Sequence, residues 1–366
     1  MPSDIATGCT DGDVSTDSVS GTITLGPACG EVGKPLSVYP IVPPICGAQD
    51  YLPTSIASGS DGALWFTTYS DNVIGRTTTA GVTTLYTVPT KDNGIVWGNG
   101  GITSGSDGAL WYVANSGQDI GRITTSGSVS TFPLPSGIGY TTAITSGPDG
   151  ALWFVVNNSS GTNSIGQLTT SGQFTIFTDP SLGSADWDSS DHRYIWDITK
   201  GPDGALWFSS AYASNLNDGS WIGRISTSGV VTQYPIPFGV NPGPLTAGPD
   251  GAIWFAGINI NGGNAIGRVT TSGAFSEYSG QAGQIGQVLG LTAGPDGALW
   301  FTNYSVPGDT GFYPYPSIGR LTTAGALTTY GSAYATEGAM AITTGSDGAM
   351  WFIDHLNDTL GRITVP

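Results

Sequence analysis

Positive charge is what this chain has least of. Only ten of its 366 residues are lysine or arginine, against 27 aspartates and glutamates, for a net charge of −17. Nucleic acids and anionic membrane surfaces are held by basic patches, so neither is expected as a partner. Cysteine is also scarce. Cys9, Cys29 and Cys46 all lie in the first 46 residues, which leaves room for one disulfide in an oxidising compartment but does not say which pair forms it. No apolar run approaches the roughly twenty residues of a membrane-spanning helix, so membrane insertion is not expected. Met1 is followed by polar Pro2, Ser3 and Asp4 rather than a signal-peptide core, and the chain is read as a processed, secreted, extracellular one.

What the chain does have is glycine, 57 residues of it, much of it in a repeated unit. The unit runs Gly-Ser/Pro-Asp-Gly-Ala, an apolar residue, Trp and usually a second aromatic, and then Ile-Gly-Arg after a loop. It is centred on Asp61, Asp107, Asp149, Asp203, Asp250, Asp296 and Asp347, at steps of 46, 42, 54, 47, 46 and 51 residues. Short strands repeating at this length predict an all-β, seven-bladed β-propeller of four-stranded antiparallel blades. In the first repeat the strands are expected at Ser55 to Ser58, Ala63 to Thr68, Val73 to Thr78 and Val82 to Val88. The last repeat stops at Pro366 without a fourth strand. Ser37-Val38-Tyr39-Pro40-Ile41-Val42-Pro43 matches Val231 to Pro237, the outer strand of the fourth repeat. An N-terminal strand therefore closes the ring and removes its open edge. Residues 35–366 form the propeller and residues 1–34 an N-terminal extension, in which Gly21 to Leu25 reads as an additional strand.

Strict repetition marks scaffold. Seven tryptophans, from Trp65 to Trp351, fill the wedges between blades. Six repeat arginines, with Gln167 in the third copy, are expected to satisfy buried carbonyls or a neighbouring blade's Asp. Function belongs to the departures. The Asp-Gly and Thr-Ser-Gly turns share one face, and the length variation falls on the other. There lie residues 157–164, 178–196, 211–220, 257–265, 304–317 and 331–339, and variable loops on a rigid scaffold are where binding residues concentrate.

The longest of these insertions carries Trp187, His192, Arg193, Trp196 and Asp197, with Asp186, Asp188 and Asp191 as the candidate ligands of a hard cation, Mg²⁺ or Ca²⁺. The other histidine, His355, follows Asp354. A histidine beside carboxylates is the raw material of a general base, so His355, His192, Asp354 and Glu337 are the catalytic candidates. Tyr140, Tyr212, Tyr313 and Tyr315, together with Trp97, Trp221, Phe312 and Tyr334, form an aromatic rim suited to a small-molecule, peptide or glycan ligand.

The run Gly-Pro-Asp-Gly-Ala-Leu-Trp-Phe, followed by Ile-Gly-Arg-Ile-Thr-Thr-Ser-Gly and an outer strand such as Tyr-Pro-Ile-Pro, resembles the streptogramin B lyase (virginiamycin B lyase) family over all seven repeats. The resemblance implies the same propeller and a Mg²⁺-assisted elimination that opens an ester ring. It also implies catalytic histidines in a Pro-His-x-Ile step of the late blades, with a Glu two residues before one of them. The matching positions here are Leu289, Met340 and Gly338, with Glu337 one residue off. None of the three can take a proton or bind Mg²⁺, so the expectation is a ligand-binding propeller without the family's lyase activity. Two alternatives are a divergent metal-assisted lyase working from the top-face pocket and an extracellular structural protein that self-assembles through residues 1–34.

Overall fold

The computed structural model describes residues 15–16, 23–24, 29–30, 36–41, 51–69, 72–88, 101–186, 192–212, 220–237, 240–259, 264–278, 285–304, 316–331, 336 and 338–366. Six blades are meanders of four antiparallel strands in sequence order, and in the seventh three such strands are completed by strands from the N-terminal segment. The first strands are Pro53–Ser58, Ile102–Ser104, Tyr140–Ser146, Arg193–Lys200, Val240–Ala247, Leu291–Ala293 and Ala339–Thr344. Each of them packs against the next, and the seventh against the first. They therefore line the centre of a closed seven-bladed ring. The second strand of blade one, Leu64–Thr68, is buried at every position, because blades cover both of its faces.

The seam is closed as expected. Leu36–Pro40 pairs with Thr359–Ile363, placing Tyr39 opposite Leu360 and Ser37 opposite Arg362. Cys29–Gly30 adds a fifth strand outside it, with Cys29 opposite Val38. Within the Gly21 to Leu25 stretch, Ile23–Thr24 forms a strand that pairs with Ser15–Thr16.

The repeat explains its own composition. All seven repeat tryptophans are fully buried, and each stacks on an aromatic of its blade's outer strand, such as Trp65 on Tyr86 at 5.5 Å and Trp351 on Tyr39 at 5.1 Å. The glycine of Ile-Gly-Arg is required by contact. A Cβ at Gly75 would lie inside the Phe66 ring.

The repeat aspartate is the hub of each blade. Asp61 Oδ1 accepts from the Trp65 indole at 3.1 Å and from the Ala63 amide, while Oδ2 accepts from Arg76 Nε at 2.7 Å. The arginine thus serves the Asp of its own blade, where buried carbonyls or a neighbouring blade's Asp were expected, and the same holds for all six arginines. In blade three Gln167 takes the arginine's place, donating to Asp149 at 2.7 Å. Burial pulls the Asp61 carboxyl upward, but the indole and guanidinium donors outweigh it and hold the group below the usual carboxylate range.

The stitches between blades are uneven around the ring. Ser346 donates to Gly62, Ser60 to Gly108 and Ser106 to Gly150, each at 2.6 Å. These bonds join blades seven, one, two and three. Blades three to six carry Pro148, Pro202, Pro249 and Pro295 at the equivalent turn position, and proline has no hydroxyl to give.

Candidate functional site

The variable face is shaped by bulges in the inner strands. In blade four the register shifts between Ile195, opposite Ser210, and Asp197, opposite Ser209. Trp196 is left without a partner and turns outward, 52% exposed. A bulge re-aims side chains in this way. Blade five is bulged too, between Pro242 and Leu245, a stretch whose two prolines cannot donate to a ladder.

Between these two strands and blade six lies a cleft of about 200 Å³. Trp196, Ile258, Val288 and Leu289 give it apolar wall, and Asn241, Asn264 and Gln287 give it amides. Asp197 is the one ionisable residue among the described residues that line it. Only 8% of Asp197 is exposed. Its Oδ1 accepts from the Ile198 amide at 2.8 Å and its Oδ2 from the Leu245 amide of blade five at 3.1 Å. Burial pushes the carboxyl up to about 7, with the two amides only partly offsetting it. A carboxyl titrating near neutrality in a half-apolar cleft can act as hydrogen-bond donor, acceptor or charge.

Tyr140, at the head of the inner strand of blade three, bonds the Tyr194 hydroxyl, and its pKa is pushed up to about 12 by burial and by that neighbour. Tyr194 in turn lies between His192, at 5.4 Å, and Trp196, at 5.9 Å. An aromatic rail therefore runs from blade three to the rim of the cleft. Arg193 is buried, with its guanidinium 4.4 Å from the Trp221 ring and donating to the Ser181 carbonyl at 3.0 Å; it packs the insertion down. The Asp186 amide donates to Ser184 Oγ at 3.1 Å. Trp187, Asp188, Asp191, Tyr313, Tyr315 and Glu337, and the side chain of Tyr212, lie outside the described residues. Among the described residues no three His, Cys, Asp or Glu side chains cluster as a metal site.

Asp354 and His355 sit at the seam between blades seven and one. The Asp354 carboxyl is buried and accepts from the amides of Gly338, Leu356 and Asn357, each at 3.2 Å, and from Asn357 Nδ2 at 3.0 Å. Burial raises its pKa against those four donors. His355 Nδ1 lies 3.0 Å from the Pro53 carbonyl, which can only accept, so Nδ1 carries the proton. Asn157, a potential glycan acceptor by sequence, is instead buried and bonds both the amide and the carbonyl of Ile195 across the blade boundary.

Trp196, Leu289 and Met340 occupy the same repeat position, seven residues before the repeat aspartate. Leu289 and Met340 belong to one apolar cluster with Ile353 and Tyr304. At Gly338 a Cβ would come within 2.5 Å of the Leu356 amide nitrogen and 2.6 Å of Asp354 Oδ1. A hard divalent cation needs several convergent oxygens. Apolar packing and a carboxyl already committed to four donors do not supply them, so the described residues at these positions do not fit Mg²⁺.

Seven four-stranded blades closed by an N-terminal strand, with constant turns on one face and a cleft on the other, define a seven-bladed β-propeller. The chain belongs to the virginiamycin B lyase family, whose sequence model matches residues 29–187 and 188–311. It is similar to virginiamycin B lyase from Staphylococcus aureus, with 30% identity over 90% of this chain and 99% of that one, and a TM-score of 0.72. A streptogramin B lyase structure is similar at 30% identity and a TM-score of 0.70, over 90% and 98% of the two chains. A catalytically inactive histidine-to-alanine variant of the Staphylococcus aureus enzyme with quinupristin gives 29% identity and a TM-score of 0.69, over 90% and 100%. No curated protein sequence matches the chain.

Proposed function

We propose that this propeller binds a partly apolar ligand of the size of a cyclic peptide or short glycan in the cleft beside blade five, outside the cell and without the family's lyase chemistry. The observation that carries this reading is the coincidence of two departures from the repeat. Where the resemblance calls for histidines and a glutamate, the chain has Leu289, Met340 and Gly338. At the same repeat position in blade four it has an outward-facing tryptophan at the rim of a cleft. Exposed aromatic surface next to amide groups stacks on flat, partly apolar ligands and orients them through hydrogen bonds. The similar inactive lyase variant was crystallised with quinupristin, which makes that compound the first probe. Extracellular location is supported by the three cysteines of the N-terminal segment, which leave room for a disulfide.

Quinupristin titrated into the protein is expected to change the fluorescence of Trp196 saturably, and the compound recovered afterwards is expected to show unchanged chromatographic retention. Trp196→Ala should abolish the saturable change. Ring-opened product would overturn the loss of lyase chemistry. Failure of quinupristin and of a glycan and peptide array to bind would overturn the binding reading.

A further inference from the structure

Six residues before the repeat aspartate, the seven blades carry Ser55, Gly101, Ala143, Asp197, Pro244, Gly290 and Ala341. Six of these are small or cyclic and uncharged. Only blade four carries an acid. The local structural task is one a hydroxyl performs elsewhere: Ser55 Oγ accepts the Gly101 amide of the next blade at 3.1 Å, much as Asp197 Oδ2 accepts the Leu245 amide at 3.1 Å. An aspartate in that place adds the cost of desolvating a charge, which a serine would not incur.

Among the described residues no counter-charge stands beside it. The elements packed around the Asp197 strand are the inner strands of blades three and five, Tyr140–Ser146 and Val240–Ala247, the second strand of blade three, Leu152–Asn157, and the second strand of its own blade, Leu206–Tyr212. None contains a charged residue, and their titratable groups are Tyr140 and Tyr212; on its own strand, Arg193 points to Ser181 and Trp221, while Lys200 is exposed at the far end. A second acceptor lines the same cleft. Asn241 Oδ1 is buried and meets no hydrogen-bond donor among the described residues. Asp197 therefore has two neutral amide donors but no counter-charge among the described residues, Asn241 Oδ1 has no donor among them, and the exposed Trp196 ring beside them offers a face to a cation.

We propose that the cleft receives its ligand through an ammonium group, with the Asp197 carboxylate and Asn241 Oδ1 as acceptors and Trp196 and Leu289 holding the apolar part. This rests on the cleft being the ligand site, and it narrows the ligand to an amine-bearing, partly apolar molecule. An ammonium supplies three donors and one positive charge to a site with two acceptors and one acid that has no counter-charge among the described residues.

The test compares two probes of the same shape, 2-phenylethylamine and 2-phenylethanol, titrated into full-length protein and followed at the Trp196 indole and Leu289 methyl resonances. At pH 8.5 an alkylammonium is still protonated and Asp197 ionised. The amine is expected to bind at least tenfold more tightly than the alcohol. That preference should shrink at pH 5.5, and in Asp197→Asn or Asp197→Ser the amine should fall to the alcohol's affinity. Equal affinity of the two probes for the unmutated protein would overturn the ammonium inference, a comparison that needs no variant to fold, while leaving the cleft as a binding site. A preference that survives in either variant would also overturn it. Binding of neither probe at tens of millimolar would overturn both the inference and the reading on which it rests.

Discussion

If Asp197 is a stability cost carried for binding, removing its charge should stabilise the protein, and only above a defined pH. The carboxyl titrates at 3.8 in its ordinary state and at about 7 in the fold, because burial disfavours its charged form. A carboxyl whose folded pKa is raised binds its proton more tightly in the native state, so its penalty is nearly absent at low pH. The penalty grows as pH rises above 3.8 and is complete above about 7. A shift of about three units is worth about 4 kcal/mol at 1.36 kcal/mol per unit. With an unfolding entropy of about 2.1 cal/mol/K per residue, that corresponds to about 5 °C in Tm for a chain of this length.

Asp197→Asn removes the titration but leaves one of the two amides, Ile198 or Leu245, without its oxygen, at about 1–3 kcal/mol independent of pH. The expected result is therefore a slope rather than an offset. Between pH 4 and pH 8.5 the Tm of the variant should rise relative to the unmutated protein by about 5 °C. Thermal melts in a constant-ionic-strength buffer series, with both proteins side by side, provide the measurement. All other carboxyls titrate identically in the two proteins and cancel. Parallel curves over that range would refute the claim that Asp197 is buried as an uncompensated acid, and with it the argument that the residue is retained for a ligand.

Asp61→Ala leaves the buried Trp65 indole without its acceptor and breaks a partly exposed ion pair with Arg76; summed, a loss of about 2–3 kcal/mol is expected in denaturant titration, and a loss below 0.5 kcal/mol would show that the hub is not a stabilising element. Gly338→Glu, which restores the residue the family resemblance calls for, should destabilise the protein, because the new Cβ collides with the Leu356 amide and Asp354 Oδ1. A melt unchanged within 1 °C would show that the seam relaxes to admit a side chain.

The fold was legible because its signals are local and repeated. An Asp-Gly turn, a consecutive apolar run and an aromatic-rich outer strand occur in every copy, and the match of Ser37 to Pro43 with Val231 to Pro237 announces the closing strand. The partner of the repeat arginine, expected among buried carbonyls or in a neighbouring blade's Asp, is the Asp of its own blade. Only the paired strands bring Arg76 opposite Trp65 and so within reach of Asp61. The outer aromatics stacked on the tryptophans also went unread, although an aromatic in each outer strand was visible from the sequence. At the site, Trp196 and Asp197 stood out in the sequence as part of a rich insertion, but nothing there separated them from Arg193, which packs the insertion against Trp221.

The amino-acid sequence alone determined that this is a seven-bladed ring, which face varies, and that Leu289 and Met340 stand at the positions the family resemblance assigns to histidines. These follow from periodicity and matched positions, which are properties of order along the chain. Only the tertiary structure decided that Asp197 is the acid at the cleft, that Asp354 is spent on four donors at the seam, and that Gly338 has no room for a side chain. Burial and hydrogen-bond partnership depend on strands far apart in sequence, here Asp197 with Leu245 and Gly338 with Asp354, and a one-residue bulge in an inner strand is enough to choose which side chain faces the cleft.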